Sequence, residues 1–227
     1  THIEYPANPS ENVVYGYDST AGGNYGKGHL TSVVDSSGTT SFFYNYLGQM
    51  TQKDYVVRGK HYSIGYAYDH SGLPTQITYP SGRIVTYQYN TFKQITGITT
   101  QSNSAAPIQT LMSNGQYLPF GPLRQWAHGN GIIETHDYDS DYRPMDITTQ
   151  GPFAILDQVF GYDLANNIET IQNPFNSSEN QTFGYDELDR LKNVSGSYGS
   201  INFQYDDVGN RLQKMLTQGS NSSIETY

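Results

Sequence analysis

The chain has 227 residues with 21 Tyr, 9 Phe and one Trp in a hydrophobic fraction of only 35%, and so few aliphatic side chains argue against a compact α/β enzyme or a helical bundle. Twelve Lys and Arg against 21 Asp and Glu give a net charge of −9, which excludes the basic surface that a nucleic-acid binder needs. The absence of Cys excludes disulfides and thiolate metal sites, and no apolar run approaches the roughly 18 residues of a membrane-spanning helix.

A four-residue signature, in which an aromatic residue, any residue, Tyr and then Asp or Asn follow one another, recurs along the whole chain. Its first residue is aromatic in seven of eight copies, and His136 takes that place in the remaining one. Such regular self-similarity is typical of a repeat protein. In chain order the copies are Tyr15-Gly16-Tyr17-Asp18, Phe42-Phe43-Tyr44-Asn45, Tyr66-Ala67-Tyr68-Asp69, Tyr87-Gln88-Tyr89-Asn90, His136-Asp137-Tyr138-Asp139, Phe160-Gly161-Tyr162-Asp163, Phe183-Gly184-Tyr185-Asp186 and Phe203-Gln204-Tyr205-Asp206.

A ninth, degraded copy lies between the fourth and fifth of these. Intact copies often have Gly four residues beyond the Tyr, as at Gly209, and apolar residues six and nine beyond it. Counted from Tyr117, the same offsets reach Gly121, Leu123 and Trp126, so Tyr117 begins a repeat that has lost its Asp. The repeat tyrosines, about 23.5 residues apart on average, are therefore Tyr17, Tyr44, Tyr68, Tyr89, Tyr117, Tyr138, Tyr162, Tyr185 and Tyr205.

Each repeat predicts two strands and two turns. Aromatic residues at i and i+2 lie on the same face of a strand, and the Asp or Asn that follows them can form an Asx-turn, helped by a Gly at positive φ. The apolar residues of the second strand are three apart rather than two, which predicts a β-bulge or a strand with both faces partly covered. Return turns are clearest at 35–39 and 79–83.

Nine such hairpin units of about 20–28 residues give about eighteen strands and no helix. We therefore predict an all-β array that forms a long, curved antiparallel sheet. A compact sandwich or a propeller, in which two units make one blade of about 40 residues, is the alternative architecture.

The repeat resembles the tyrosine–aspartate (YD) repeat of bacterial Rhs proteins, which is similar to repeats in the B/C components of insecticidal toxin complexes and in teneurins. The family unit reads approximately Tyr-Asp-x-x-Gly-Arg-Leu-x-x-Ile, and segments 205–212 and 185–191 come closest to it. Segments 77–82 and 117–121 resemble the connections between repeats of the family. The resemblance covers nearly all of the chain.

The resemblance implies a structural role for residues 1–227 as one YD-repeat array, a fragment of a hollow β-shell. In the bacterial members of the family the shell encloses a variable C-terminal toxin domain. We therefore expect the partners to be the remaining repeats of the shell, an enclosed toxin and secretion machinery, and we expect export from a bacterial cell as part of a larger protein. The chain contains no Asp-Pro, so the self-cleaving segment of the family is expected to lie outside it.

The residues expected to matter are structural, and we expect no catalytic residue, cofactor or metal. They are the repeat tyrosines, their paired aromatic residues and the turn residues: Tyr15, Tyr17, Asp18, Phe42, Tyr44, Asn45, Tyr66, Tyr68, Asp69, Tyr87, Tyr89, Asn90, Tyr117, Gly121, Tyr138, Asp139, Phe160, Tyr162, Asp163, Phe183, Tyr185, Asp186, Phe203, Tyr205, Asp206 and Gly209.

Enzyme and metal motifs are incomplete in this chain. The six His residues form no H-E-x-x-H pair, no G-x-S-x-G elbow is present, and we place each His at the surface or in a turn. The Gly-rich stretch 22–28 departs from a phosphate-binding loop and is interpreted as a flexible loop. Segment 137–141 has the alternating carboxylates of a calcium loop, but the sixth position is Tyr142 rather than Gly and the twelfth is Thr148 rather than Glu.

A second candidate function remains open. Exposed Tyr and Asn side chains could bind glycans by ring stacking, as in a cell-surface carbohydrate-binding or adhesive module. If instead the rings pack strand on strand, no glycan binding is expected.

Overall fold

A computed structural model describes residues 1–227, the side chain of Ala154 excepted. The described chain is almost entirely β-strand, with short 3₁₀ segments at Pro9–Glu11, Ala21–Gly23 and Ser177–Glu179. No helix in the described residues is long and apolar enough to cross a membrane. The strands are β1 (His2–Ile3), β2 (Val13–Tyr17), β3 (Leu30–Asp35), β4 (Gly38–Tyr44), β5 (Met50–Val57), β6 (Lys60–Tyr68), β7 (Pro74–Thr78), β8 (Ile84–Tyr89), β9 (Ile95–Gln101), β10 (Gln109–Tyr117), β11 (Leu123–His128), β12 (Ile133–Tyr138), β13 (Pro144–Gln150), β14 (Ala154–Tyr162), β15 (Ile168–Gln172), β16 (Gln181–Tyr185), β17 (Leu191–Gly196), β18 (Gly199–Tyr205), β19 (Arg211–Gln218) and β20 (Asn221–Thr226).

The chain divides into two compact units, Thr1–Ser113 and Asn114–Tyr227. Within the first unit each strand from β1 to β9 pairs antiparallel with the next strand along the chain. Within the second unit the strands from β11 to β20 pair in the same way. The predicted all-β, antiparallel class with one hairpin per repeat is confirmed.

A β-bulge lies at the same point of each hairpin that contains a repeat tyrosine and whose register is described. In the β16–β17 hairpin Gly184 faces Asn193, whereas Tyr185 faces Leu191, so Lys192 is the extra residue on the second strand. The bulge explains why apolar residues three apart share one face, and the predicted bulge is confirmed. The extra residues are Thr31, Thr51, Thr75, Thr96, Met145, Glu169, Lys192 and Leu212.

The two faces of the sheet differ in each unit. On the aromatic face, the first residue of the signature lies opposite the residue nine beyond the repeat tyrosine, as Phe160 lies opposite Ile171 and Phe183 opposite Val194. The Tyr17 repeat is the exception, because Tyr15 lies opposite Val33 beyond the Gly-rich insertion. Cross-strand pairs of an aromatic and a branched side chain are among the stabilising pairs of antiparallel sheets. On the polar face, a Gly such as Gly161 lies under a hydroxyl or amide side chain of the next strand.

Side chains are only partly covered in both units. Val194, 7% exposed, is the one hydrophobic residue among the described side chains that counts as buried. A sandwich would bury the facing sides of two sheets in a shared core, so the compact alternative is wrong. Each hairpin must instead be stabilised by contacts with its neighbours along the sheet.

Candidate functional site: the row of tyrosine–aspartate turns

Every repeat tyrosine is the last residue of a strand. The strands concerned are the even-numbered ones from β2 to β18. Since neighbouring strands are antiparallel, the even strands of one unit run in the same direction. Their turns therefore lie side by side, at the C-terminal ends of these strands. We call this series of turns the turn row. It contains the Asp and Asn residues of the signature.

The side chain after the repeat tyrosine holds its turn by hydrogen bonds from the backbone. In the turn after Tyr185, Asp186 Oδ1 accepts from Leu188 N and from Arg190 N, both at 3.0 Å. The Asp186 backbone closes the same turn through bonds to Arg190 O and from Asp189 N. The predicted Asx-turn is confirmed, and it recurs with bonds of 2.7–3.0 Å at Asn45, Asp69, Asn90, Asp139, Asp163, Asp186 and Asp206.

The second side-chain atom of the turn residue is also used. Asp186 Oδ2 accepts from Arg190 Nε at 2.7 Å, and Asp139 Oδ2 accepts from Arg143 Nε at 2.6 Å. Where the turn residue is Asn, its amide donates instead, as from Asn45 to Gln49 Oε1 at 2.7 Å. The side chain five beyond the tyrosine is thus matched to the acid or amide that starts the turn in these repeats, whereas in the Tyr68 repeat Leu73 bonds to Asp69 through its backbone alone.

The fourth residue beyond the tyrosine adopts positive φ. Gly48, Gly72 and Gly209 do so, as the sequence predicts for Gly in such a turn. Non-glycine residues adopt the same conformation at Lys93, Tyr142, Asn166 and Asp189. The bonds to the turn residue therefore impose the conformation even where the side chain disfavours it.

Four of the turn carboxylates are stabilised in their charged form. The pKa of Asp186 is lowered mainly by the hydrogen bond from the Arg190 backbone, with further help from the Arg190 side chain and the Leu188 backbone. Backbone bonds lower the pKa of Asp139 and Asp163 in the same way, and the Asn210 side chain has the largest effect in lowering that of Asp206. Hydrogen bonds to the ionised form favour it.

In seven repeats the hairpin is attached to the preceding one by the hydroxyl of its repeat tyrosine. Tyr185 Oη donates to Ile168 O at 2.9 Å, and Ile168 begins the second strand of the preceding repeat. Burial raises the pKa of the Tyr185 hydroxyl, as expected for a phenol withdrawn from water. Among the described residues the same bond, at 2.7–3.1 Å, is made by Tyr44, Tyr68, Tyr89, Tyr138, Tyr162, Tyr185 and Tyr205.

Arginine side chains link successive turns along the row. Arg190 lies 4.8 Å from the ring centre of Tyr205 and donates to Asp206 O at 2.9 Å. Arg143 lies 4.8 Å from the ring centre of Tyr162 and donates to Asn166. One guanidinium therefore pairs with the carboxylate of its own turn, stacks on the next repeat tyrosine and contacts the next turn, which a lysine could not do.

Two repeats depart from this pattern. In the degraded repeat, Leu118 N donates to Pro122 O and Gly121 N to Leu118 O, so the backbone forms the turn without an acid, and Phe120 rather than Gly121 takes positive φ. The repeat of Tyr17 contains the Gly-rich insertion, where Asp18 instead accepts from Gly28 N at 2.6 Å.

The Gly-rich insertion is anchored to the sheet by one residue. Asn24 is buried, donates to Phe42 O at 3.0 Å and accepts from Tyr44 N at 2.7 Å. It therefore makes backbone-like bonds along β4. The prediction of a flexible loop at 22–28 is wrong for this anchored part.

A cluster of titratable side chains lies on the aromatic face of the β11–β12 hairpin. Glu134 accepts from His128 Nε2 at 2.9 Å and from His136 Nε2 at 2.8 Å, and the ring of Trp126 lies 5.1 Å from that of His136. Burial acts to raise the pKa of Glu134, but the bonds to both His residues outweigh it and lower the pKa.

The placement of His136 at the surface or in a turn is wrong, because this half-buried residue lies within β12. The sequence signal for the cluster was the spacing of Glu134 and His136, which puts both side chains on one face of a strand. The calcium-like segment makes other contacts, since Asp137 pairs with Arg124 and Asp139 holds its own turn. No group of acidic or His side chains in the described residues is arranged to hold a metal ion.

Comparison with known proteins identifies the repeat. Residues 68–105, which contain the turns after Tyr68 and Tyr89, match the family model described as RHS Repeat. This segment of the chain is therefore an Rhs repeat. No curated protein sequence matches it.

Solved structures share the fold of these YD repeats. TcdB2-TccC3 superimposes with a TM-score of 0.86 at 16% identity, over 94% of this chain and 13% of that chain. TcdB2-TccC3 without its hypervariable C-terminal region gives a TM-score of 0.87 at 16% identity, over 98% and 14%. The Tc holotoxin pore of Photorhabdus luminescens gives 0.83 at 16% identity, over 94% and 13%. This chain thus spans about one eighth of the chains it matches, and the likeness concerns the fold.

The hydroxyl of Tyr185 offers a direct test of the bond between YD repeats. We expect Tyr185→Phe to lower the free energy of unfolding by about 1 kcal/mol, because Ile168 O loses its donor. Tyr185→Ala should cost ~3 kcal/mol, since the half-buried ring is lost as well. Urea unfolding followed by circular dichroism measures both. Tyr46→Phe, at a largely exposed ring, is the matched control, and equal stability of Tyr185→Phe and the unmodified chain would contradict the prediction.

The charge of Asp186 should make stability depend on pH in the acid range. Because its folded-state pKa is lowered, its contribution is present above the pKa of an unfolded Asp and is lost as the pH falls through the folded value. Asn fills the same turn position at Asn45 and Asn90. We therefore expect Asp186→Asn to fold and to lose less stability on acidification than the unmodified chain.

Unfolding midpoints in urea, measured from about pH 2 to about pH 7, test this expectation. Asp207→Asn, at the exposed neighbouring carboxylate, is the control and should leave the acid dependence unchanged. Superimposable pH profiles for Asp186→Asn and the unmodified chain would show that the turn carboxylate does not stabilise the fold through its charge.

Proposed function

We propose that this chain is a segment of the wall of a shell that encloses the C-terminal toxin domain of a bacterial Rhs-type polymorphic toxin. The observation that supports it best is that every described hairpin is stabilised by its neighbours along the sheet rather than by a packed interior. Such a sheet suits a wall. The fold shared with TcdB2-TccC3 over 94% of the chain supports the same proposal.

The proposed role is not enzymatic. The repeated carboxylates are used by the turns that contain them, as Asp186 is by Arg190. The partners of the wall would be further repeats of the same protein and the enclosed toxin domain. The complete protein would be exported from the bacterial cell.

Limited proteolysis of the complete parent protein, tagged at its far C-terminus, tests the enclosure. Trypsin should leave the C-terminal segment intact until mild denaturation opens the shell, and should then degrade it rapidly. A parent protein with Tyr185→Ala should expose the segment at a lower denaturant concentration, whereas Tyr46→Phe should not. Immediate cleavage of the C-terminal segment in the native parent would contradict the proposal.

One observation favours glycan binding as a second candidate function. An open groove of about 440 Å³ on the first unit is lined by Gln52, Asp54, Ser63 and Tyr79, among others. Carboxylate, amide and hydroxyl groups beside an aromatic residue are suited to a sugar. A glycan array probed with the 227-residue chain separates the candidates, because a wall segment should bind no glycan. Binding that is lost in Asp54→Ala would favour the adhesive role.

A further inference from the structure

The polar face of the sheet is irregular in one repeat. Elsewhere, the residue before the repeat tyrosine and its partner across the hairpin are both neutral, as at Gly184 and Asn193. In the β12–β13 hairpin, Asp137 lies opposite Asp146. Like charges that face each other across strands are destabilising, so this hairpin needs a compensating interaction that the other repeats do not need.

A third carboxylate lies on the next strand. Asp146 faces Val159 and Thr148 faces Asp157 across the β13–β14 hairpin, so Asp157 is the diagonal neighbour of Asp146 on the same face. The Oδ1 atoms of Asp146 and Asp157 are buried and have no hydrogen-bond donor among the described residues. Buried polar atoms are almost always hydrogen-bonded, so an unseen donor is required at this position.

The guanidinium of Arg124 is paired with Asp137 and not with Asp146 or Asp157. Arg124 from β11 donates to Asp137 Oδ1 from Nε at 3.1 Å and from Nη2 at 2.9 Å. Asp137 from β12 and Asp157 from β14 are therefore the charged groups that face Asp146 from the two strands packed against it. A proton on one carboxyl of the Asp146–Asp157 pair supplies the missing donor.

We propose that Asp146 and Asp157 share one proton, and that the resulting hydrogen bond between their carboxyl groups links β13 to β14. Loss of this proton as the pH rises then opens the hairpin locally. Burial is the main reason that the pKa of Asp146 is raised, and the charge and hydrogen bond of Asp157 and the charge of Asp137 add to the effect. Two adjacent carboxyl groups that retain one proton are a known consequence of like-charge repulsion. This inference does not depend on the proposed wall function.

The direction of the pH dependence is opposite to that of the turn carboxylates. The folded-state pKa of Asp146 is above its unfolded value, so its stabilising contribution is fully present below the unfolded value and is lost as the pH rises through the folded value. Asp186, whose pKa is lowered, contributes at higher pH instead. The β13–β14 hairpin is therefore expected to be the part of the second unit that loosens when acidic medium is neutralised.

Amide hydrogen exchange of the 227-residue chain between about pH 4 and about pH 7.5, corrected for intrinsic exchange rates, measures the effect. The opening constant of β13 and β14 should rise with pH by up to about tenfold per pH unit, the limit for one linked proton. The β18–β19 hairpin should show no such increase. In Asp157→Asn, the amide can donate to Asp146 permanently, so the protection of β13 and β14 should become independent of pH.

Two controls make the result decisive. Asp54→Asn changes a carboxylate on the same polar face whose oxygens already accept from Gln52 at 2.9 Å, and it should leave the exchange of β13 and β14 unchanged. Carbon-13 NMR titration of the Asp146 carboxyl in the unmodified chain should give a midpoint above about 3.9, the ordinary value for Asp, and it does not depend on any variant folding.

Two results would overturn the proposal. The first is an opening constant for β13 and β14 that does not change with pH in the unmodified chain. The second is an unchanged pH dependence in Asp157→Asn.

Discussion

The hydrogen bond from a repeat tyrosine to the preceding repeat is the interaction on which the rest of the structure depends. It joins residues 14 to 18 positions apart, as in the bonds from Tyr44 to Leu30 and from Tyr68 to Met50. It also meets the preceding second strand at its first residue, beside the bulge. Where so little side-chain surface is buried, a polar contact shielded by its own aromatic ring supplies part of what a hydrophobic core supplies in other domains.

The turn row and the tyrosine hydrogen bond together position each hairpin against the preceding one. The Asx-turn fixes the direction in which the chain leaves the tyrosine, and the bulge brings the apolar residues of the second strand back to the aromatic face. An arginine such as Arg190 then connects one turn to the next through the ring of Tyr205 and the carbonyl of Asp206. The Tyr, Asp and Arg of the signature Tyr-Asp-x-x-Gly-Arg each have a partner in the structure, and its Gly stands where the turn requires positive φ.

Much of this architecture could be predicted from the sequence because its determinants are local. The strand ends at the repeat tyrosines, the Asx-turns and the bulge all follow from residues within about ten positions of one another. Spacing alone also predicts the degraded repeat at Tyr117, whose backbone turn is present without an acid. Because the same local turn and bulge signals recur at a regular spacing, few other structures are compatible with the sequence.

Contacts that depend on cross-strand register could not be predicted in this way. The acceptor of each tyrosine hydroxyl lies in the preceding hairpin, and Asn24 bonds to a strand 18 residues away. The pairing of Asp146 with Asp157 requires knowing which residues are diagonal across β13 and β14. A single added residue in a strand changes such neighbours while leaving the pattern of residue types intact.

The attachment of each hairpin to its immediate predecessor has a consequence for how such chains can change in length. When the contacts of a repeat are confined to its neighbours, the stability of the array is close to a sum of terms for single repeats and for the junctions between them. A whole hairpin can then be gained or lost by duplication or deletion, provided that the new junction again places a tyrosine hydroxyl against a free carbonyl. Replacing the Asp of one repeat by Leu118 is tolerated for the same reason, because the defect stays within a single term of that sum.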